Sequence, residues 1–143
     1  MTLSDDASLR SLAQRFLDQS LPKSEWTHAG HLGAALWLTR HRPDLTAPDE
    51  IRACIMRYNE ATQTLNTDTS GYHHTITLAS MRAVSSTLEG FAPDTPLHSV
   101  LKALLTSPFG HPDWLFTYWT RGTLFSVTAR KTWVAPDIMP LPF

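Results

Sequence analysis

The sequence predicts an all-α fold, a single-domain helical bundle of four to five main helices with short C-terminal helices and an extended, proline-rich tail. Three observations predict it. Apolar residues recur at three- and four-residue spacing through five successive segments, no stretch alternates as a strand would, and Pro, Gly and capping residues fall between the segments. At 143 residues, the chain (1–143) has the size of one domain, able to bury roughly 70% of the surface it exposes when unfolded.

Each element has its own reason. Ser4 followed by Asp5 and Asp6 places a cap and two carboxylates at the positive end of a helix dipole, and Leu9, Leu12, Phe16 and Leu17 then recur at helical spacing. The first helix runs from about Asp5 to Asp18. Pro22 closes the linker and Ser24 caps the second, which reaches about Arg40 before His41-Arg42-Pro43 stops it. This helix is apolar almost all round, from Trp26 through Leu38, and should be the most buried. Gly30 and Gly33 inside it cost stability relative to alanine, so another backbone or a ligand is expected close by.

Thr46-Ala47-Pro48-Asp49 reads as a capping box with proline in the first turn, opening a third helix on Ile51, Cys54, Ile55, Tyr58, Ala61 and Leu65 that frays near Asn66. The polar run 66–71 is a loop. Ser70 or Asp68 then caps a fourth helix from about Tyr72 to Glu89, which Gly90 ends, and Thr95-Pro96 starts a fifth on Leu97, Val100, Leu101, Leu104 and Leu105. Beyond Pro108 the pattern loosens into short aromatic pieces that should wrap the bundle as short helices. Residues 134–143 are too rich in proline for helix or central strand. They read as an extended tail laid on the core.

Composition narrows the function. Net charge is near zero with twelve scattered basic residues, so the basic stripe that nucleic acid requires is missing. No apolar run approaches the roughly 20 residues of a membrane span, and the acidic N-terminus is unlike a signal peptide. A cytoplasmic location is expected, with neither nucleic acid nor membrane as partner. The lone cysteine, Cys54, reads as a small buried residue, and it leaves nitrogen and oxygen as the ligands for any metal.

Four of the seven histidines fall in two helix starts, Trp26-Thr27-His28-Ala29-Gly30-His31-Leu32 and Gly71-Tyr72-His73-His74-Thr75-Ile76-Thr77. Short loops between sequential helices favour antiparallel neighbours, so the starts of helices two and four should meet at one end of the bundle, beside the finish of helix three. On helical wheels His28, His31 and His73 turn inward, and helix three brings Tyr58 and Asn59. Near a helix N-terminus imidazole is held neutral, the form that binds metal. The expectation is therefore a divalent transition metal (Zn, Fe, Mn, Ni or Cu) on His28, His31 and His73. Glu25 and Tyr58 stand as catalytic candidates, with Trp26, Asn59, Thr77 and His111 as substrate contacts. Gly110-His111-Pro112-Asp113-Trp114 is a stiff loop that should line the pocket mouth. Arg57, Arg82 and Arg121 are candidates for an anionic group, and nothing selects among them. His41 and His98 read as surface residues.

The ordered motifs Trp26-Thr27-His28-x-x-His31-Leu32 and Gly71-Tyr72-His73-x-Thr75-x-Thr77 resemble those of a group of small uncharacterised bacterial proteins, with His74 standing where glutamate is expected. The resemblance implies that His28, His31 and His73 belong together. It carries no activity. There is also a fold-level likeness to DinB-type metal-binding helical bundles, with different histidine spacing.

The leading expectation is thus a metal-dependent enzyme acting on a small organic molecule. Alternatives keep the pocket without the metal, as a histidine acid/base enzyme or a non-catalytic binding protein for a small ligand or haem. An interaction module docking through its aromatic tail, and a homodimer, complete the set.

Overall fold

A computed structural model describes residues 3–143. Met1 and Thr2, the start of the acidic N-terminal stretch, lie outside the described residues. The fold is all-α: α1 (Asp6–Leu17), α2 (His28–His41), α3 (Pro48–Ala61), α4 (His74–Glu89), α5 (Leu97–Thr106) and two short helices, α6 (Arg121–Leu124) and α7 (Val127–Lys131). Tight 3-10 turns occupy Lys23–Glu25, Pro43–Thr46, Pro108–Gly110 and Trp114–Thr117, and there is no strand among the described residues. None of these helices is long and apolar enough to cross a membrane.

The expected helices are present, but most of their caps differ from the sequence reading. Asp5 rather than Ser4 caps α1, accepting from the Ser8 amide at 2.7 Å. In α2 the cap is Thr27, whose hydroxyl accepts from Gly30 N at 3.1 Å; the turn at Lys23–Glu25 delays the helix past Ser24. Ala47 stands at the cap position of α3 with no side-chain bond, because Thr46 donates its hydroxyl to Pro43 O at 2.7 Å. The same helix stops at Ala61, before the expected fraying at Asn66. Gln63 follows in the left-handed region (φ 62°) and ends it.

Helix α2 sits between two apolar clusters. Leu32, Ala35 and Leu36 join Leu9 of α1, Val84 of α4 and Leu97, Val100, Leu101 and Leu104 of α5. On the other side Ala34 and Leu38 meet Leu12, Phe16, Ile51, Cys54 and Tyr58. A helix covered on both sides must be apolar on both. Gly33 is where α1 comes closest: a Cβ there would lie 2.7 Å from Leu9 Cδ2. At Gly30 the close neighbour is the Glu25 carbonyl, also 2.7 Å from a Cβ. Both glycines thus answer to approach by protein.

A third cluster places Ala79 and Ala83 of α4 under Trp114, Leu115, Trp119 and Leu124. Trp119 is fully buried and its indole N–H donates to Val134 O at 2.9 Å. The tail is extended, as expected, and Leu141 and Phe143 pack on this cluster. Ile138 and Met139 stay exposed. Asp137 fixes the tail's course, its carboxylate accepting from Thr120 N at 2.7 Å and from the hydroxyls of Thr120 and Thr123 at 2.6 and 2.7 Å.

His98 is tied down, contrary to its reading as a surface residue without a role. Asp6 of α1 reaches across to α5, accepting from Leu97 N at 3.2 Å and His98 N at 2.9 Å, with the His98 ring on Oδ1 at 2.7 Å. One helix thereby caps another. Burial raises the Asp6 carboxyl pKa, and the His98 and Leu97 donors outweigh it, leaving the pKa below 3.8. Asp6→Ala should lower the urea midpoint by the equivalent of about 1 kcal/mol, as for a lost cap. Because the folded pKa is depressed, that difference should be full near pH 7 and fade as pH falls through the folded value; an unchanged midpoint at pH 7 would show that the cap carries no stability.

Candidate functional site

The start of α2, the end of α3 and the start of α4 converge, as the antiparallel argument requires, and they enclose a cavity of about 600 Å³. That is within the range of small-molecule pockets. Its walls include Phe16, Trp26, Leu32 and Leu38, then Ile55 and Tyr58, then Ile76 and Met81, with Trp114, Leu115 and Phe125 closing it from the C-terminal pieces. His28, His31 and His73 all line it. Their roles, however, are different.

His73 is the cap of α4: its Nδ1 accepts from Ile76 N at 3.1 Å while its Nε2–H donates to Leu124 O at 2.6 Å. Both nitrogens are committed to backbone, and the tautomer follows from the two partners. Burial lowers its pKa, which the bond to Leu124 only partly offsets. His28 lies within hydrogen-bond reach of Phe109 O, 3.2 Å from Nε2, tying α2 to the 3-10 turn Pro108–Gly110. Among the described residues no three His, Cys, Asp or Glu side chains are grouped so as to hold a metal ion. The expected trio shares a cavity without sharing a point.

His31 stands apart. Neither ring nitrogen has a protein hydrogen-bond partner; its contact is an edge-on approach to Trp26, ring centroids 4.3 Å apart. The residue is exposed by area, yet protein surrounds it densely enough that burial, helped by neighbouring His28, pushes its pKa down to about 4. The residue lines the cavity. At neutral pH it is an uncharged donor and acceptor.

The other expected residues divide. Trp26 is a wall, stacked on Phe16 at 4.5 Å and 10°. Tyr58 presents its ring, but its hydroxyl is spent on Leu21 O at 2.9 Å, so no catalytic proton transfer passes through it as placed. Glu25 is held by Arg15 through two 3.2 Å bonds and not by His28. It lies outside the lining. Asn59 lines the cavity while organising the 62–73 loop, donating to Asn66 Oδ1 at 3.0 Å. Asn66 Oδ1 in turn accepts from Tyr72 N at 3.0 Å. Thr77 also lines it, its hydroxyl donating to His73 O at 2.7 Å. His111 is exposed and turned to its own loop, Nδ1 accepting from Asp113 N at 3.1 Å. Its neighbours Pro112 and Trp114 line the cavity instead.

His74 is buried away from the cavity, its Nδ1 paired with the Tyr72 hydroxyl at 2.7 Å. The candidate arginines are elsewhere too: Arg82 stacks on Trp133, Arg121 lies over Phe116, and Arg57 meets the Cys54 sulfur. Residues the sequence reading passed over include Ser80 and Met81, one turn beyond Ile76 and Thr77 on α4, and Arg130 and Phe125. Helical spacing from Ile76 and Thr77 was enough to find the first two. Nothing in the sequence pattern signals Arg130.

Comparison with known proteins gives no matching family model, no similar curated protein and no similar solved structure.

Two outcomes test this geometry. His73→Ala loses both cap and tie and should cost about 1–2 kcal/mol by urea unfolding, whereas His73→Asn keeps a cap-competent oxygen and should recover part of it. Equal losses would show that the cap is idle. For His31, the unfolded ring takes up its proton near 6.5 and the folded ring at about 4. The folded state therefore binds fewer protons between those values, and stability should fall as pH drops through that window. His31→Gln should show a shallower decline than wild type; superimposable profiles would refute the placement of His31.

Proposed function

We propose that this protein binds a small, largely apolar molecule inside the bundle and holds the molecule's polar end with the neutral imidazole of His31. The observation that carries the reading is a cavity of about 600 Å³ walled by aromatic and aliphatic side chains, into which His31 brings two ring nitrogens without a protein partner. A cavity-facing imidazole with nothing to bond is what a site looks like before its ligand arrives.

The reading favours recognition over acid–base catalysis. A general base works best with a pKa near the operating pH, and a ring titrating at about 4 is a weak base at pH 7. It is a good hydrogen-bond partner. The metal-dependent enzyme expected from sequence would need His73 to give up the Ile76 amide or the Leu124 carbonyl, and as arranged these donors do not fit a shared ion.

The test is a thermal-shift and ligand-observed NMR screen of small aromatic and aliphatic compounds, run beside Ser80→Trp, which places an indole in the cavity. A binder at a hundredfold excess over its Kd should raise the wild-type Tm by roughly 5–10 °C and leave the folded variant unmoved. A set of hits that shift both proteins equally, or no hit at all, would sink the reading.

A further inference from the structure

We infer that the molecule taken up by the cavity is a monoanionic carboxylic acid with an aromatic body, its carboxylate held by Arg130. The inference rests on reading the cavity as a small-molecule site and adds the chemistry of its occupant. It starts from charge. The lining contains Lys23 and Arg130 and three histidines, and not one Asp or Glu.

Arg130 is the more telling of the two cations. Its Nη1 donates to Gly71 O at 3.1 Å and Tyr72 O at 3.3 Å, which fixes the side chain without neutralising it. No carboxylate pairs with it among the described residues. Its Nε is buried with no hydrogen-bond partner, and Nη2 has no protein partner either. Arg130 is half-buried, and a cation partly withdrawn from water usually has a counter-charge. Backbone carbonyls hold Nη1, the side chain lines the cavity, and the partner it lacks is an anion. A carboxylate matches a planar guanidinium in shape and charge.

The rest of the site says which anion. A phosphate usually draws on several free amides at a helix N-terminus, and at this end a side-chain cap already takes one amide of each terminus. Thr27 takes the Gly30 amide of α2 and His73 takes the Ile76 amide of α4. With few donors left, a single negative charge is what the site accommodates. Six aromatic side chains, Phe16, Trp26, Tyr58, Tyr72, Trp114 and Phe125, line the same space, which suits a flat apolar body. Neutral His31 can still donate to the second end of such a molecule.

Calorimetric titration of the full chain at pH 7 with 2-naphthylacetate and 2-naphthylacetamide, which share shape and differ in charge, decides the matter. The acid should bind wild type on the order of tenfold or more tighter than the amide, as expected for a charge-assisted pair. In Arg130→Gln, checked for fold by circular dichroism, the acid should drop to the amide's affinity while the amide is unchanged. The wild-type comparison stands even if that variant fails to fold. An amide that binds as tightly as the acid overturns the inference and leaves the cavity reading intact. Loss of the preference in Lys23→Gln but not Arg130→Gln overturns the assignment to Arg130. Binding of neither compound overturns the inference, and the cavity reading falls separately if the broad screen is also blank.

Discussion

Helix α2 carries apolar side chains around nearly its whole circumference, and water cannot be left against any long side of it. That constraint organises the molecule. Leu32 and Leu36 call for α1, α4 and α5 on one side, and Ala34 and Leu38 call for α1 and α3 on the other. Gly33 lets Leu9 of α1 come in to a distance a side chain there would forbid. Where α2 begins, Trp26, His28 and His31 stand in place of the small residues of its middle and line the cavity. The cavity occupies that end.

Closing the cavity falls to Pro112, Trp114, Leu115 and Phe125, which neighbouring pieces with little structure of their own hold in place. The 3-10 turn at Pro108–Gly110 and the helix α6, only four residues long, would not persist in isolation. They are joined to the main helices at two carbonyl groups, Phe109 O near His28 and Leu124 O bonded by His73. Histidines that look from sequence like a ligand set are thus fasteners in part. His73 performs two structural tasks at once, since the same ring caps α4 and holds α6.

What is left for chemistry inside the cavity is sparse and of one character. Carboxylates are absent from the walls; Glu25 is turned to Arg15 and Asp137 to Thr120 and Thr123 at the start of α6. His31 stays uncharged and Arg130 charged. A cation partly withdrawn from water and unopposed by a carboxylate attracts an anion that enters. The site therefore selects by charge at one point and by apolar contact elsewhere, which is the usual division of labour in small-molecule pockets.

Local residues determined the helices, their approximate ends and their convergence. The 3.6-residue periodicity of α1 to α5, the stop at Pro43 and the short connections are local properties, and burial of the periodic faces then leaves few arrangements. The placement of His28, His31 and His73 around one space follows from the same arithmetic. Caps and side-chain roles were decided elsewhere, because a hydrogen-bonding group takes whichever partner the fold brings near. Thr46 could cap α3 yet bonds Pro43, Tyr58 could face a substrate yet bonds Leu21, and α5 is capped by Asp6, 91 residues before Leu97. Arg130 reaches the cavity only because α7 packs on α4. Sequence alone thus determined a helical bundle with histidines gathered at one end. Tertiary structure decided which nitrogens remain free and that Arg130 lines the same cavity, since those depend on contacts between segments that no local pattern encodes.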